Sequence, residues 1–255
     1  MTTHQGHPRI HPTAYVGPGV ELGADVALGP YVTLFGPLRV GDRVWIGAGA
    51  SVGAPPEIAS LRQNTAWTGD LEHQGVEIGA DSVLRERVVI HQGSARRTVV
   101  GARCWLLNGA YLAHDVQLGD DVTVSAGVSV GGHCTIGSRA TLGMNAVVHQ
   151  RRVIGPGAMV GMGTALTGDV PPWTKVFGVP PRLHGVNAVG LSRAGAAPEV
   201  ADLLASRYAD GDLLLDDAAG LDAIAADRAA WRAAAPTRPV RSSLERAAHE
   251  IREAV

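Results

Sequence analysis

Aromatic residues are scarce: the 255 residues include 2 phenylalanines, and aromatics make up 4% of the chain. A globular core usually relies on large rings, so this core must be built from small aliphatic side chains. Cysteine is nearly absent as well. Cys104 and Cys134 are too few for a disulfide framework. No run of about 18 apolar residues occurs, so no transmembrane segment is expected. The opening Met1-Thr2-Thr3-His4-Gln5-Gly6 lacks the charged-then-apolar pattern of a signal peptide, and a soluble cytoplasmic protein is the expectation. The formal charge of −2 excludes a global field for nucleic acid or an anionic membrane surface. What the chain has in quantity is glycine, 33 residues of it.

The glycines belong to a repeat. From Val16 an aliphatic residue recurs every sixth position, through Leu22, Leu28, Leu34, Val40, Ile46 and Val52. The register resumes at Ile78, Leu84 and Ile90, and again from Val100 to Leu166. Glycine follows the aliphatic at 14 of these 22 positions. A period of six fits neither an isolated helix nor an alternating strand. It fits a parallel β-helix of three flat faces, with one hexapeptide per face and 18 residues per coil. Each aliphatic points inward and stacks on the coils above and below, roughly 4.8 Å away. Full burial of each is worth roughly 1.5–3 kcal/mol, a gain available only when coils stack. The glycines are expected to permit the tight corners. The residue two before each aliphatic also faces inward and is mostly small or β-branched, as at Ala50, Ala110 and Val128. Cys104 and Cys134 fall in this class, which makes them buried hydrophobes rather than reactive thiols.

Two interruptions break the phase. The first, at 54–75, includes the polar stretch Gln63-Asn64-Thr65-Ala66-Trp67-Thr68-Gly69-Asp70. The second, at 92–98, adds four residues within His91-Gln92-Gly93-Ser94-Ala95-Arg96-Arg97. Long excursions from a solenoid usually serve function or subunit contact. The domain reading is therefore a β-helix over 1–183 with these two loops, then a helical region over 184–255.

The repeat also departs from itself in composition. At Leu112-Ala113-His114-Asp115 the repeat would place glycine and a neutral residue, and this stretch has Ala113, a histidine and a carboxylate. With 18 residues per coil, His114, Gly132 and Gln150 share one column, and Asp115 and His133 the next. With the four-residue insertion removed, His91 and His149 share another. Corner residues of a solenoid are exposed and tolerate polar side chains. Convergence of His114, His133 and His149 on one strip, with a carboxylate beside one of them, points instead to a site. Three histidines could also hold a metal. The His-x4-His pair of β-helical metalloenzymes is missing among the repeat histidines, so no metal is assigned.

The stretches His91 to Ser94, Ala110 to Asp115, Gly131-Gly132-His133, Ala146 to Gln150, Val170-Pro171-Pro172 and Gly185-Val186-Asn187, with Ile10 to Ala14, resemble the UDP-N-acetylglucosamine acyltransferases of lipid A synthesis. The resemblance covers about residues 10–195. It implies a left-handed β-helix and a homotrimer with active sites between subunits. It implies an acyl thioester on acyl carrier protein as co-substrate, with no bound cofactor. It implies a hydroxyl of a sugar nucleotide as acceptor, UDP-N-acetylglucosamine in the family. It makes His114 the general base, oriented by Asp115, with the Gly132 N–H as oxyanion donor. His133, His149, Gln150 and His91 would line the site. Asn187 and Arg193 would lie at the nucleotide end, where a guanidinium suits phosphate.

Some positions differ from the family. It carries His-x-x-His where this chain has Tyr111-Leu112-Ala113-His114. A family aspartate and lysine of the first loop align with Asn64 and Ala66, and a glutamate at the nucleotide end aligns with Val189. The catalytic set is kept while the acceptor side has changed, so another sugar, an amino sugar or a secondary metabolite is a second candidate acceptor, acylated on oxygen or nitrogen. Met162 stands where the family uses residue size to limit the acyl chain, which implies a short-to-medium acyl group. A coenzyme A thioester donor is a further alternative, through Val179-Pro180-Pro181-Arg182, as is a non-enzymatic β-helix scaffold.

After Asp169 the two proline pairs, Pro171-Pro172 and Pro180-Pro181, are expected to end the solenoid. From about Pro198 an Ala-rich helical region follows, with an apolar stripe of Leu203, Leu204, Leu221, Ile224 and Trp231. Breaks are expected near Gly211 and at Pro236 to Pro239. Ser242-Ser243-Leu244-Glu245 reads as the capping box of a last helix. These helices would cap the open coil.

Overall fold

The computed structural model describes residues 6–61, 63 and 73–243. Asn64, Ala66 and the helix expected from Leu244 lie outside them. The hexapeptides form three parallel sheets. Among the described residues sheet A has ten strands, sheet B eight and sheet C seven, and consecutive strands from Arg9–Ile10 to Ala165–Leu166 fall on A, B and C in turn. The register is the one the period requires: Tyr111 pairs with Ser129 and Ser129 with Val147, one coil of 18 residues apart. The chain is thus a β-solenoid followed by helices.

The core is the column of sixth residues. Every one from Leu28 to Leu166 is buried, while Val16, in the first coil, is 37% exposed. Among the described residues no complete coil lies beneath Val16, so its side chain has less to bury against. Cys104 and Cys134 are buried and unpaired, and burial pushes each thiol up to about 11.

The corner glycines act differently from the expectation. The left-handed residue of each corner is the third after the aliphatic, and it is usually not glycine: Arg103 has φ +56°, Asp115 +64°, Asp121 +59° and His133 +62°. The glycine directly after the aliphatic is needed for space. A Cβ on Gly101 would sit 2.5 Å from the Gly119 carbonyl carbon one coil away. Close coil stacking, not a special φ, selects glycine there.

The prolines do not stop the solenoid. Pro171-Pro172-Trp173 shortens the last coil, so that Met159 pairs with Lys175, and strand Thr174–Phe177 still joins sheet A in parallel. Strand Arg182–Val186 then turns back antiparallel, so the boundary expected at 183 falls inside a strand. Among the described residues three α-helices follow, all inside the helical region expected over 184–255: α1 (Ala188–Arg193), α2 (Pro198–Ala209) and α3 (Ala225–Ala233). Leu204, Leu221, Ile224 and Trp231 are buried as the stripe predicts, with Leu203 partly so. Tyr208 donates to the Pro172 carbonyl at 2.7 Å, and Trp173 Nε1 to Asp227 at 2.8 Å, tying helices to the last coil. The cap is completed by extended chain. Asp169 N–H donates to the Arg238 carbonyl and Val240 N–H to the Asp169 carbonyl. Ser243 gives its hydroxyl to the Leu183 carbonyl, and Ser242 bridges the same residue.

Candidate active site

The corner between sheets B and C spans Tyr111–Leu112 to Gln117–Leu118. Leu112 points into the core, and the left-handed turn at Asp115 folds that side chain back under the corner, where it is fully buried. The Asp115 N–H donates to Thr98 Oγ1 at 2.9 Å, which fixes the turn. The second loop wraps the carboxylate. Three successive backbone N–H groups, of Ser94, Ala95 and Arg96, donate to Oδ1 at 3.0, 2.8 and 2.7 Å. The Ser94 hydroxyl donates to Oδ2 at 2.6 Å. Burial by itself would raise the carboxyl pKa, but these bonds and the one from His114 outweigh it and hold the group well below the ordinary carboxylate range.

His114 Nδ1 lies 2.6 Å from Asp115 Oδ2. An ionised carboxylate only accepts, so Nδ1 carries the proton and Nε2 the free lone pair. The ring is 15% exposed, so Nε2 is the atom available for proton transfer. Gly132 stacks one coil above it: an added Cβ would meet the ring at 2.7 Å from Cε1 and 2.8 Å from Nε2. His133 meets His114 edge to face, with centroids 4.9 Å apart and its own Nδ1 3.6 Å from Asp115 Oδ2. Desolvation, countered in part by Asp115, lowers the His133 pKa. Arg96 reaches over the corner, its Nε donating to the Asp115 carbonyl at 2.9 Å.

His91, the residue just before the loop, is buried, with its ring 5.4 Å from that of Tyr111. Burial lowers its pKa. Tyr111 donates to Glu57 at 2.7 Å. His149 and Gln150 are exposed on the same edge, two coils above. His114, Asp115 and His133 come within metal-binding reach of one another, 4.8 Å. The donor set fits a hydrogen-bonded pair better, because both Asp115 oxygens are already engaged by N–H and O–H donors.

The remaining sequence-predicted residues lie elsewhere on the single chain. Met162, 73% exposed, sits at the corner between sheets A and B. Asn187 and Arg193 line a groove of about 530 Å³ with Arg139, Trp173 and Lys175. There Asn187 caps α1, accepting from Gly190 N–H at 3.1 Å and donating to the Gly157 carbonyl at 2.9 Å. Ser94, Arg96 and Thr98 were not singled out by sequence. The available signal was that the insertion falls just before the residues one coil beneath Asp115.

A coiled hexapeptide fold carrying a histidine–carboxylate pair on one edge defines a hexapeptide-repeat transferase, and residues 97–132 match the family described as bacterial transferase hexapeptide (six repeats). Residues 169–216 match UDP-N-acetylglucosamine O-acyltransferase, domain 2. An acyl-[acyl-carrier-protein]–UDP-N-acetylglucosamine O-acyltransferase of Syntrophobacter fumaroxidans is 36% identical over 222 residues, covering 78% of this chain and 83% of that protein. One from Bartonella quintana is 44% identical over 215 residues, 79% of this chain and 77% of that one. Among solved structures, LpxA from Acinetobacter baumannii superposes with a TM-score of 0.75 at 23% identity, over 91% of this chain and 99% of that chain, which establishes the fold. The chain belongs to the acyl-[acyl-carrier-protein]–UDP-N-acetylglucosamine O-acyltransferase family and is an acyltransferase.

Proposed function

We propose that the protein transfers a short-to-medium fatty acyl group from an acyl-carrier-protein thioester to a hydroxyl of UDP-N-acetylglucosamine. The observation that carries this reading is the 2.6 Å contact between His114 Nδ1 and the buried Asp115. It orients Nε2 as a base and stabilises the imidazolium that forms. The acceptor hydroxyl gives its proton to Nε2 as its oxygen attacks the thioester carbonyl. The oxyanion is held by the Gly132 N–H. Collapse breaks the C–S bond, and the proton on Nε2 passes to the leaving thiolate. The products are the ester and the free carrier thiol.

A homotrimer fits this chemistry. His114 stands on the B–C edge, Met162 on the A–B edge, and Asn187 with Arg193 in the groove beside α1. Packing the A–B edge of one subunit against the B–C edge of the next would assemble donor, base and acyl-limiting residue in one cleft. Among the described residues no helix is long and apolar enough to cross a membrane.

A changed acceptor is the second reading. It is favoured by Tyr111, which fills the position of a family histidine and is bonded to Glu57 of the first loop. The test offers medium-chain acyl-carrier-protein thioesters with UDP-N-acetylglucosamine beside free sugars and amino sugars, reading products by intact mass. Product on UDP-N-acetylglucosamine supports the first reading. Transfer only to another acceptor supports the second. No transfer from the carrier protein, with transfer from coenzyme A thioesters, overturns the donor assignment.

A further inference from the structure

The loop at 92–98 wraps the Asp115 carboxylate, and its serine hydroxyl has a task that the backbone N–H groups cannot share. Each carboxylate oxygen presents about two in-plane lone pairs. On Asp115, Oδ1 is saturated by the N–H groups of Ser94, Ala95 and Arg96. Oδ2 accepts from His114 Nδ1 and from Ser94 Oγ, both at 2.6 Å. A second imidazole waits on that same oxygen: His133 Nδ1 is 3.6 Å away, beyond hydrogen-bond distance but within a small rotation of it. Ser94 Oγ also lies 3.4 Å from His114 Nδ1, so its own lone pair faces the N–H that becomes cationic during transfer.

We infer that Ser94 is a positioning residue that reserves Asp115 for His114, by filling the lone pair that His133 would otherwise take. The inference rests on His114 being the base proposed above. With Ser94 gone, Oδ2 gains a free lone pair, His133 swings onto it, and the two rings compete for one carboxylate. His114 then spends part of its time turned from the geometry in which Nε2 meets the acceptor. Misplacement of this size costs on the order of tenfold to a hundredfold in rate.

The experiment compares the wild type with Ser94→Ala and Ser94→Thr in the full-length protein. For Ser94→Ala, kcat should fall at least tenfold with KM for donor and acceptor within about twofold. Ser94→Thr, which keeps the hydroxyl, should recover most of the loss. Histidine side-chain NMR titration supplies a readout independent of turnover. Losing a donor to Asp115 leaves a more basic carboxylate, so in Ser94→Ala the pKa of His133 should rise and its Nδ1–H should become hydrogen bonded. The groups facing these rings are Asp115, Arg96, Arg151 and His91, all unaltered in the variant. An unchanged kcat, or a rise in KM alone, would overturn the inference. So would an unmoved His133 signal in a folded Ser94→Ala protein. If the wild type itself turned over no acyl thioester while the NMR shifts appeared, the acyl-transfer reading would fail and the Ser94 contact would stand.

Discussion

Asp115 and Asp121 occupy the same place in successive corners, three residues after a buried leucine, and share the same left-handed backbone. Their environments are opposite. Asp121 keeps 41% of its side chain in solvent and is clasped by Arg103 of the coil beneath, at 2.7 and 2.8 Å. Asp115 is fully buried. The difference is what lies one coil below. Under Asp121 the repeat continues and supplies an arginine. Under Asp115 the repeat is interrupted, and the inserted loop supplies three N–H groups and a hydroxyl. A corner built to join coils becomes a corner built to hold a charge beside an imidazole, through a local insertion and not a new fold.

The widest test of that contrast is to replace each aspartate by asparagine. Asp115→Asn puts an amide where five donors converge and removes the charge facing His114, so kcat should fall about ten-thousandfold, in line with loss of the orienting carboxylate in a catalytic triad. Asp121→Asn should leave kcat unchanged and shift the melting temperature by no more than a degree or two, since exposed ion pairs contribute little. Steady-state rates and thermal melts on both proteins decide it. Next in size, Gly132→Ala should lower kcat about a hundredfold, because the new Cβ would press on the His114 ring at 2.7–2.8 Å. Alanine at Gly109, whose Cβ would meet nothing within 4 Å, should instead act only through its backbone, measured as stability and not rate. Met162→Gly should move acyl preference to longer chains, read by competition between carrier-protein thioesters of different length. An unchanged preference would remove Met162 from the acyl groove.

The smallest effect is one of pH. Burial pushes His91 below its ordinary value. As pH falls below about 6.5, the unfolded chain binds a proton at this position before the folded protein does. The stability is therefore present above that pH and is lost as pH falls through the lower folded value. Melting temperature should drop between pH 7 and pH 5, and His91→Gln should flatten part of that drop. Asp115 acts in a lower window. Its folded pKa is depressed, so its contribution holds above the unfolded aspartate value of about 3.9 and is lost only in stronger acid.

Much of the solenoid was legible because one signal, an aliphatic every sixth residue, sets both the core and the register. The pair His114-Asp115 was visible as a break in that signal. The cradle of Ser94 and Arg96 was not, because periodicity carries no information inside an insertion, and its meaning depends on which coil it lies against. The glycine pattern was visible but has two causes: the glycine after each aliphatic records close approach between coils, while the left-handed corner is taken by glycine at Gly109 and Gly127 and more often by Arg103, Asp121 and their like. At the C-terminal end, proline pairs read as stops, yet Pro171-Pro172 only shortens a coil, and the return of 238–243 onto Asp169 and Leu183 rests on long-range pairing that no local pattern encodes.

The chemistry proposed for this corner turns on His114 moving the proton in acyl transfer. Single-turnover transfer from an acyl-carrier-protein thioester to UDP-N-acetylglucosamine, measured for wild type and His114→Ala at matched oligomeric state, tests it directly. A loss of about a hundredfold to ten-thousandfold, with the assembly and donor binding intact, is the predicted result. Near wild-type transfer by His114→Ala would mean that another group moves the proton.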